Sequence, residues 1–258
     1  MPRIRWSGAF PIYVLGLAIL LFYILLASTS SYDILQLALV LLTPMIAFTL
    51  GIMGLRIYAR ESGLRNDRFH TLNLWIAIGL IMLSLSEIAG ILVFLAENTF
   101  QLEIAFALVQ MPGIFLLGFG IMQYLRSVNS ALEIMNGERM WIILVLIVSL
   151  TTLGVLVIII TQFPNLGVIR AIVISPIISS LILFCMVALG FIWTFQNGEI
   201  VKPLLLVFLG FLIYLVRSFF WVFSSYALAT PTDSLLAIES YVFFGSVLLL
   251  SQSMDKYQ

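Results

Sequence analysis

The sequence predicts an all-α integral membrane protein with eight transmembrane helices, arranged as two parallel four-helix repeats. Three observations carry this. Of 258 residues, 62% are apolar and only 9% charged, where soluble domains carry roughly a quarter charged residues; mean hydropathy is +1.18. A soluble globule of this size cannot cover so much apolar side chain with polar surface. Apolar stretches recur at the ~20-residue length a helix needs to cross the ~30 Å hydrocarbon core. Pro, Gly and charged residues also recur in the two halves at nearly constant spacing. Spans this long read as helices rather than barrel strands, because a helix satisfies its own backbone in lipid.

The first stretch, 9–28, follows Arg3 and Arg5 and ends in the polar segment Ala27 to Asp33. It shares features with a secretory signal, but its length and the lack of a small-x-small site before Ser28 predict an uncleaved helix. The second, 33–56, contains Thr43-Pro44. The third, 71–95, carries Glu87 and stops before Glu97-Asn98-Thr99. The fourth, 101–125, carries Gln110 and Met111-Pro112-Gly113, which should bend it. The fifth, 140–162, runs into the turn Gln162 to Gly167. The sixth, 169–194, contains Ser175-Pro176 and the single Cys185, and ends before Gln196-Asn197-Gly198-Glu199. The seventh, 203–227, carries Arg217. The eighth, 234–253, follows Thr230-Pro231-Thr232-Asp233, a loop with an Asp or Thr cap.

Orientation follows from Lys and Arg placement. With eight spans, Arg3, Arg5, Arg56, Arg60, Arg65, Arg68, Arg126, Arg139, Lys202 and Lys256 fall on one side. Arg170 alone falls on the other, and Arg217 lies within a span. Both termini are therefore expected in the cytoplasm. Trp6, Trp75, Trp141 and Trp193 land near the same ends, as an interfacial aromatic belt requires.

The repeat is read from matched positions. Thr43-Pro44-Met45-Ile46 matches Ser175-Pro176-Ile177-Ile178, and Gly79-Leu80-Ile81-Met82 matches Gly210-Phe211-Leu212-Ile213. Asp233 falls opposite Glu103. The expected units are residues 1–130 and 131–258. Each has an even number of spans, so the two would be parallel, related by an axis along the membrane normal. A Pro inside a span frees a carbonyl and bends the helix, so Pro44 and Pro176 could widen a cavity between the halves.

Three charges fall inside predicted spans: Glu87, Arg217 and Glu239. Each costs at least ~2.5–3.5 kcal/mol at a bilayer centre, so partners are expected. At 1.5 Å per residue the three lie at similar depth, roughly 9 Å from the extracytoplasmic surface. Glu87 and Arg217 occupy equivalent places in the two halves, and Gln110 and Glu239 nearly so. Arg217 should therefore face the interior and fork onto Glu87, Glu239 or both. Gly210, Tyr214, Arg217, Trp221 and Ser224 share a polar, aromatic stripe of the seventh span at helical spacing. On the eighth span, Glu239, Ser246 and Ser253 recur every seven residues as a second stripe. The candidate ligand-binding set is Glu87, Gln110, Tyr214, Arg217, Trp221 and Glu239. The plain structural reading is an ion pair that locks helix order.

The single His70 excludes bis-histidyl haem and His-rich metal sites, and reads as an interfacial residue. Cys185 reads as a small core residue. No nucleophile–base motif is present, so neither an enzyme nor a cofactor is expected. The lack of a basic tract argues against nucleic acid. The expected function is a small-solute or ion transporter with a polar cluster in the extracytoplasmic half of the bundle. The alternative is a membrane sensor or receptor module, or an accessory or scaffold subunit, acting through a separate partner chain. For a scaffold, Gly79, Ser86 and Gly90 would supply a small-residue patch for close helix contact. The expected partners are the lipid bilayer, a small solute or ion, and a membrane partner protein or second copy.

Overall fold

The computed structural model describes residues 32–60, 68–95, 100–132, 137–194, 201–223 and 231–254. The first predicted span, 9–28, lies outside the described residues. The described chain forms seven long helices: α1 Tyr32–Arg60, α2 Arg68–Leu95, α3 Phe100–Leu132, α4 Gly137–Gln162, α5 Val168–Thr194, α6 Val201–Phe223 and α7 Pro231–Met254. All seven are long and apolar enough to cross a membrane. They coincide with the second to eighth predicted spans. Most boundary differences lie at the basic ends, where α1 continues to Arg60 and α3 to Leu132. There the chain leaves the apolar core, and long cationic side chains extend a helix into the headgroup layer.

Between α4 and α5 the chain turns tightly. Pro164–Leu166 forms a single 3-10 turn, and the Gly167 N–H donates to the Pro164 carbonyl at 3.4 Å. Gly167 adopts φ 78°, a left-handed conformation that only glycine enters without strain. Its carbonyl then accepts the first backbone bond of α5, from Ala171 N–H at 3.2 Å.

Six helices close a ring in the order α1, α2, α3, α5, α6, α7 and back to α1, with α2 also touching α7 across it. α4 packs outside the ring, chiefly against α5. Only 11% of its apolar window is buried, against 78% for α7, so α4 presents Ile142, Leu146, Leu150 and Leu153 outward, as a lipid-facing helix would. The ring interior is aliphatic and aromatic: Leu80, Leu83, Ile121, Phe184, Phe211, Phe244 and Leu248 form one continuous core.

Without a hydrophobic drive between helices in lipid, close packing has to hold them together. Small residues make it possible. A Cβ on Gly51 of α1 would sit 2.9 Å from the Ala77 carbonyl of α2, so the two backbones meet there. Gly79 and Gly90 face Leu117 and Phe106 of α3, and Ser86 is buried. The small-residue patch read as a scaffold surface is thus largely consumed by the α2–α3 contact.

Pro44, Pro112 and Pro176 all lie inside helices. Around Pro44, Thr43 Oγ1 donates to the Leu39 carbonyl at 2.8 Å, and Ser84 of α2 donates to the Pro44 carbonyl at 2.9 Å. Around Pro176, Ser180 and Ser179 donate back into their own helix, and Ser179 also meets Thr152 of α4 at 2.7 Å. Cys185 is buried in the core, as its sequence context implied. His70 is also buried, and stacks on Tyr58 with ring centroids 4.0 Å apart. It is therefore packed between α1 and α2.

Candidate functional site: a buried ionic network

Arg217 stands six residues before the end of α6, about 9 Å along the axis. The spacing of Gly210, Tyr214 and Arg217 puts all three on one face, and that face is inward: Gly210 packs against Phe244, and Tyr214 and Arg217 are buried. The guanidinium is only 3% exposed, so it must be paired.

Two carboxylates meet it from different helices. Glu87 of α2 receives Nη1 on Oε1 at 2.5 Å and Nη2 on Oε2 at 3.2 Å. Asp233 of α7 receives Nε on Oδ1 and Nη2 on Oδ2, both at 2.8 Å. The pairing is a fork on each side, a geometry that Lys cannot supply. Nη1 also lies 3.4 Å from the hydroxyls of Tyr214 and Tyr241. The Tyr241 hydroxyl donates to Glu87 Oε1 at 2.5 Å, and Gln110 of α3 donates its amide N–H to the Tyr214 hydroxyl. The Tyr214 ring lies beneath the charge, 5.4 Å from the guanidinium carbon. The network thus joins α2, α3, α6 and α7. Two carboxylates thus share one guanidinium among the described groups.

Several sequence expectations change here. Arg217 faces inward and pairs with Glu87, as the depth argument required. Its second carboxylate is Asp233, expected only as a helix cap, and not Glu239. Asp233 is the third residue of α7, inside its first turn, where the helix dipole also favours an anion. Glu239 is half-buried and pairs with no described residue. It follows Asp233 by six residues, which turns it about 240° around the axis. The second stripe therefore does not line the network: Ser246 is buried and bonds its own Val242 carbonyl at 2.7 Å, and Ser253 lies outside the described side chains. The side chain of Trp221 and residue Ser224 also lie outside the described residues. Tyr241 was missed, although it shares the inward face of α7 with Asp233, eight residues or about 80° away. A search for polar-tipped aromatics on that face would have found it.

Two small pockets flank the network. One is lined by Gln110, Ile174, Ile177, Tyr214, Arg217 and Ser218, the other by Val40, Glu87, Gly90, Ile91, Phe106, Asp233 and Ser234. Each leaves about 10 Å³ for the centre of a water-sized sphere, about the room one water occupies. Both lie beside a helix proline: Ile174 and Ile177 flank Pro176, and Val40 is one turn before Pro44.

Fold and site together define a class, a multi-pass helical membrane bundle with a buried, interhelical ionic network. Comparison of the chain with protein-family models, with curated proteins and with solved structures finds no match.

Proposed function

We propose that the chain is a carrier for a small solute or ion, not an enzyme, and that the Arg217 network is its closed extracytoplasmic gate. The observation that carries this reading is the network's placement: a charged clamp joins helices from both halves of the chain, with a water-sized pocket on each side. Charges at such depth are expensive, and in a membrane bundle they mark solute and ion paths by default. On this reading there are eight spans, the amino-terminal one included, with both termini cytoplasmic; the distribution of Lys and Arg supports that orientation.

The packing order supports two parallel repeats, residues 1–130 and 131–258. In the ring, α1, α2 and α3 are followed by α5, α6 and α7 in the same order, the order that a half-turn between two repeats would produce. Under that operation Glu87 maps onto Arg217, and the two meet across the axis. Gln110 reaching α6 and Tyr241 reaching α2 are likewise related. Separating the halves would part the clamp and connect the pockets to the extracytoplasmic side.

The test uses Ser218→Cys, which lines the pocket beside Arg217, in a Cys185→Ala background reconstituted into liposomes. An impermeant thiol reagent should label it from each face in turn. Protection from both faces in folded protein would overturn the carrier reading. The alternative, a sensor, receptor or accessory subunit working through a partner chain, would then account for so small a pair of pockets.

A further inference from the structure

We infer that the outward face of α1 is a binding site for an anionic phospholipid, with the phosphate held by Arg56 and Arg60 and an acyl chain laid along Leu41, Met45, Phe48 and Ile52. The inference goes beyond the carrier reading and does not depend on it. It concerns the surface that the chain turns to the membrane, not the buried network.

The apolar part of the site is a stripe. Leu41, Met45 and Phe48 are exposed, Met45 by 65%, and Ile52 is half-buried. Steps of four, three and four residues keep the four positions within about 60° around the helix axis. The opposite side of α1 is consumed by packing: Ala47, Leu50 and Ile57 are buried, and Gly51 and Gly54 close onto α2 and α7. From Leu41 to Ile52 the helix rises about 16 Å, close to half the thickness of the hydrocarbon core, so the stripe matches one acyl chain in length.

The charged part continues it. The stripe runs on into Arg56 and Arg60, both exposed and one helical turn apart. Arg60 lies in the last turn of α1, where a cation also suits the helix dipole. Arg56 stands a turn further in, where that local reason fades. Two guanidinium forks about 6 Å apart along the axis can bracket a single phosphate, a geometry that arginine matches well. Among the described side chains no other helix offers this pair. Arg126 on α3 is exposed but stands alone, Arg170 and Lys202 are half-buried and make contacts of their own, and Arg217 is buried.

Charge selects the headgroup. On the proposed orientation this end of α1 lies in the cytoplasmic leaflet, where anionic lipid favours each nearby Lys or Arg by roughly five-fold. Phosphatidylcholine carries a phosphate too, but its choline cation offsets it and would face the same two arginines. A lipid with net negative charge is therefore the occupant that fits both parts of the face.

The test is thermal unfolding of the purified full-length chain in a non-ionic detergent, titrated with phosphatidylglycerol against phosphatidylcholine of the same acyl chains. Phosphatidylglycerol should raise the midpoint at several-fold lower concentration, and the difference should shrink as salt is raised. Arg56→Gln combined with Arg60→Gln changes two exposed side chains, so it should keep its midpoint in phosphatidylcholine and lose the preference. Arg126→Gln should retain the preference, and inorganic phosphate without lipid should not reproduce the rise. Equal responses to the two lipids would overturn the site, as would an undiminished preference in the double variant. A preference lost equally in Arg126→Gln would show a diffuse surface potential, and a rise with inorganic phosphate alone would show an anion site without lipid; either result overturns the inference. Transport is not read in this experiment, so its failure leaves the carrier reading standing, and failure of the thiol-labelling test leaves this site standing.

Discussion

At the scale of single residues, the account turns on which carboxylates hold Arg217. Removing one partner of a buried pair leaves an uncompensated charge, which costs about 3–5 kcal/mol. Asp233→Ala should therefore lower stability by about that amount, measured by thermal unfolding in detergent. Glu239→Gln should change it by less than about 0.5 kcal/mol, because that side chain is half-buried and unpaired with any described residue. Equal effects at the two positions would refute the pairing. Arg217→Lys should recover only part of the stability, since an ammonium cannot fork onto both carboxylates at once. The sequence made Arg217 and Glu87 legible, because depth along a helix can be counted from its ends. It did not reveal Asp233 or exclude Glu239, because equal depth says nothing about which way around the helix a side chain points. A carboxylate in a first helical turn also has a sufficient local explanation as a cap, which hid its second partner.

At the scale of elements, the helices were legible because the bilayer fixes the length of an apolar span. Their contacts were not, because exposed and buried faces alike are dominated by Leu, Ile, Val and Phe. Only 11% of the α4 window is buried, yet its hydropathy, 3.1, is the highest of the seven. Composition thus marked α4 as the most apolar helix without marking it as the peripheral one. The interfaces depend instead on where small residues allow backbones to close. Gly51→Ala should destabilise the α1–α2 contact by roughly 1–3 kcal/mol, because the added carbon meets a backbone carbonyl that cannot give way. Gly190→Ala, where nothing lies within 4 Å, should be neutral or stabilising through helix propensity. Thermal unfolding of the two variants in parallel checks the contrast, and a Gly51→Ala protein as stable as wild type would contradict the packing.

At the scale of the whole molecule, the ring of six helices and the ionic network belong to one argument. If the chain is two repeats as proposed, the ordering α1 to α3 and then α5 to α7 accounts for the meeting of positions 87 and 217. The repeat was read in the sequence from a few matched Pro and Gly positions, and the ring order adds an independent reason for it. Orientation is a second whole-molecule expectation. A Cys placed in the 61–67 segment should react with an impermeant reagent only from the cytoplasmic face, and reaction from outside intact cells alone would reverse the topology. The central claim, that the two halves part at the Arg217 clamp, is most directly tested by a distance. Nitroxide labels at Ile88→Cys on α2 and Phe220→Cys on α6, both exposed and close to the clamp in sequence, report its opening in a Cys185→Ala background. Pulsed electron resonance on the protein in liposomes should give two distance populations, with the longer one favoured when Glu87→Gln weakens the clamp. A single short distance, unchanged by Glu87→Gln in folded protein, would show the network to be a fixed lock and would contradict the account.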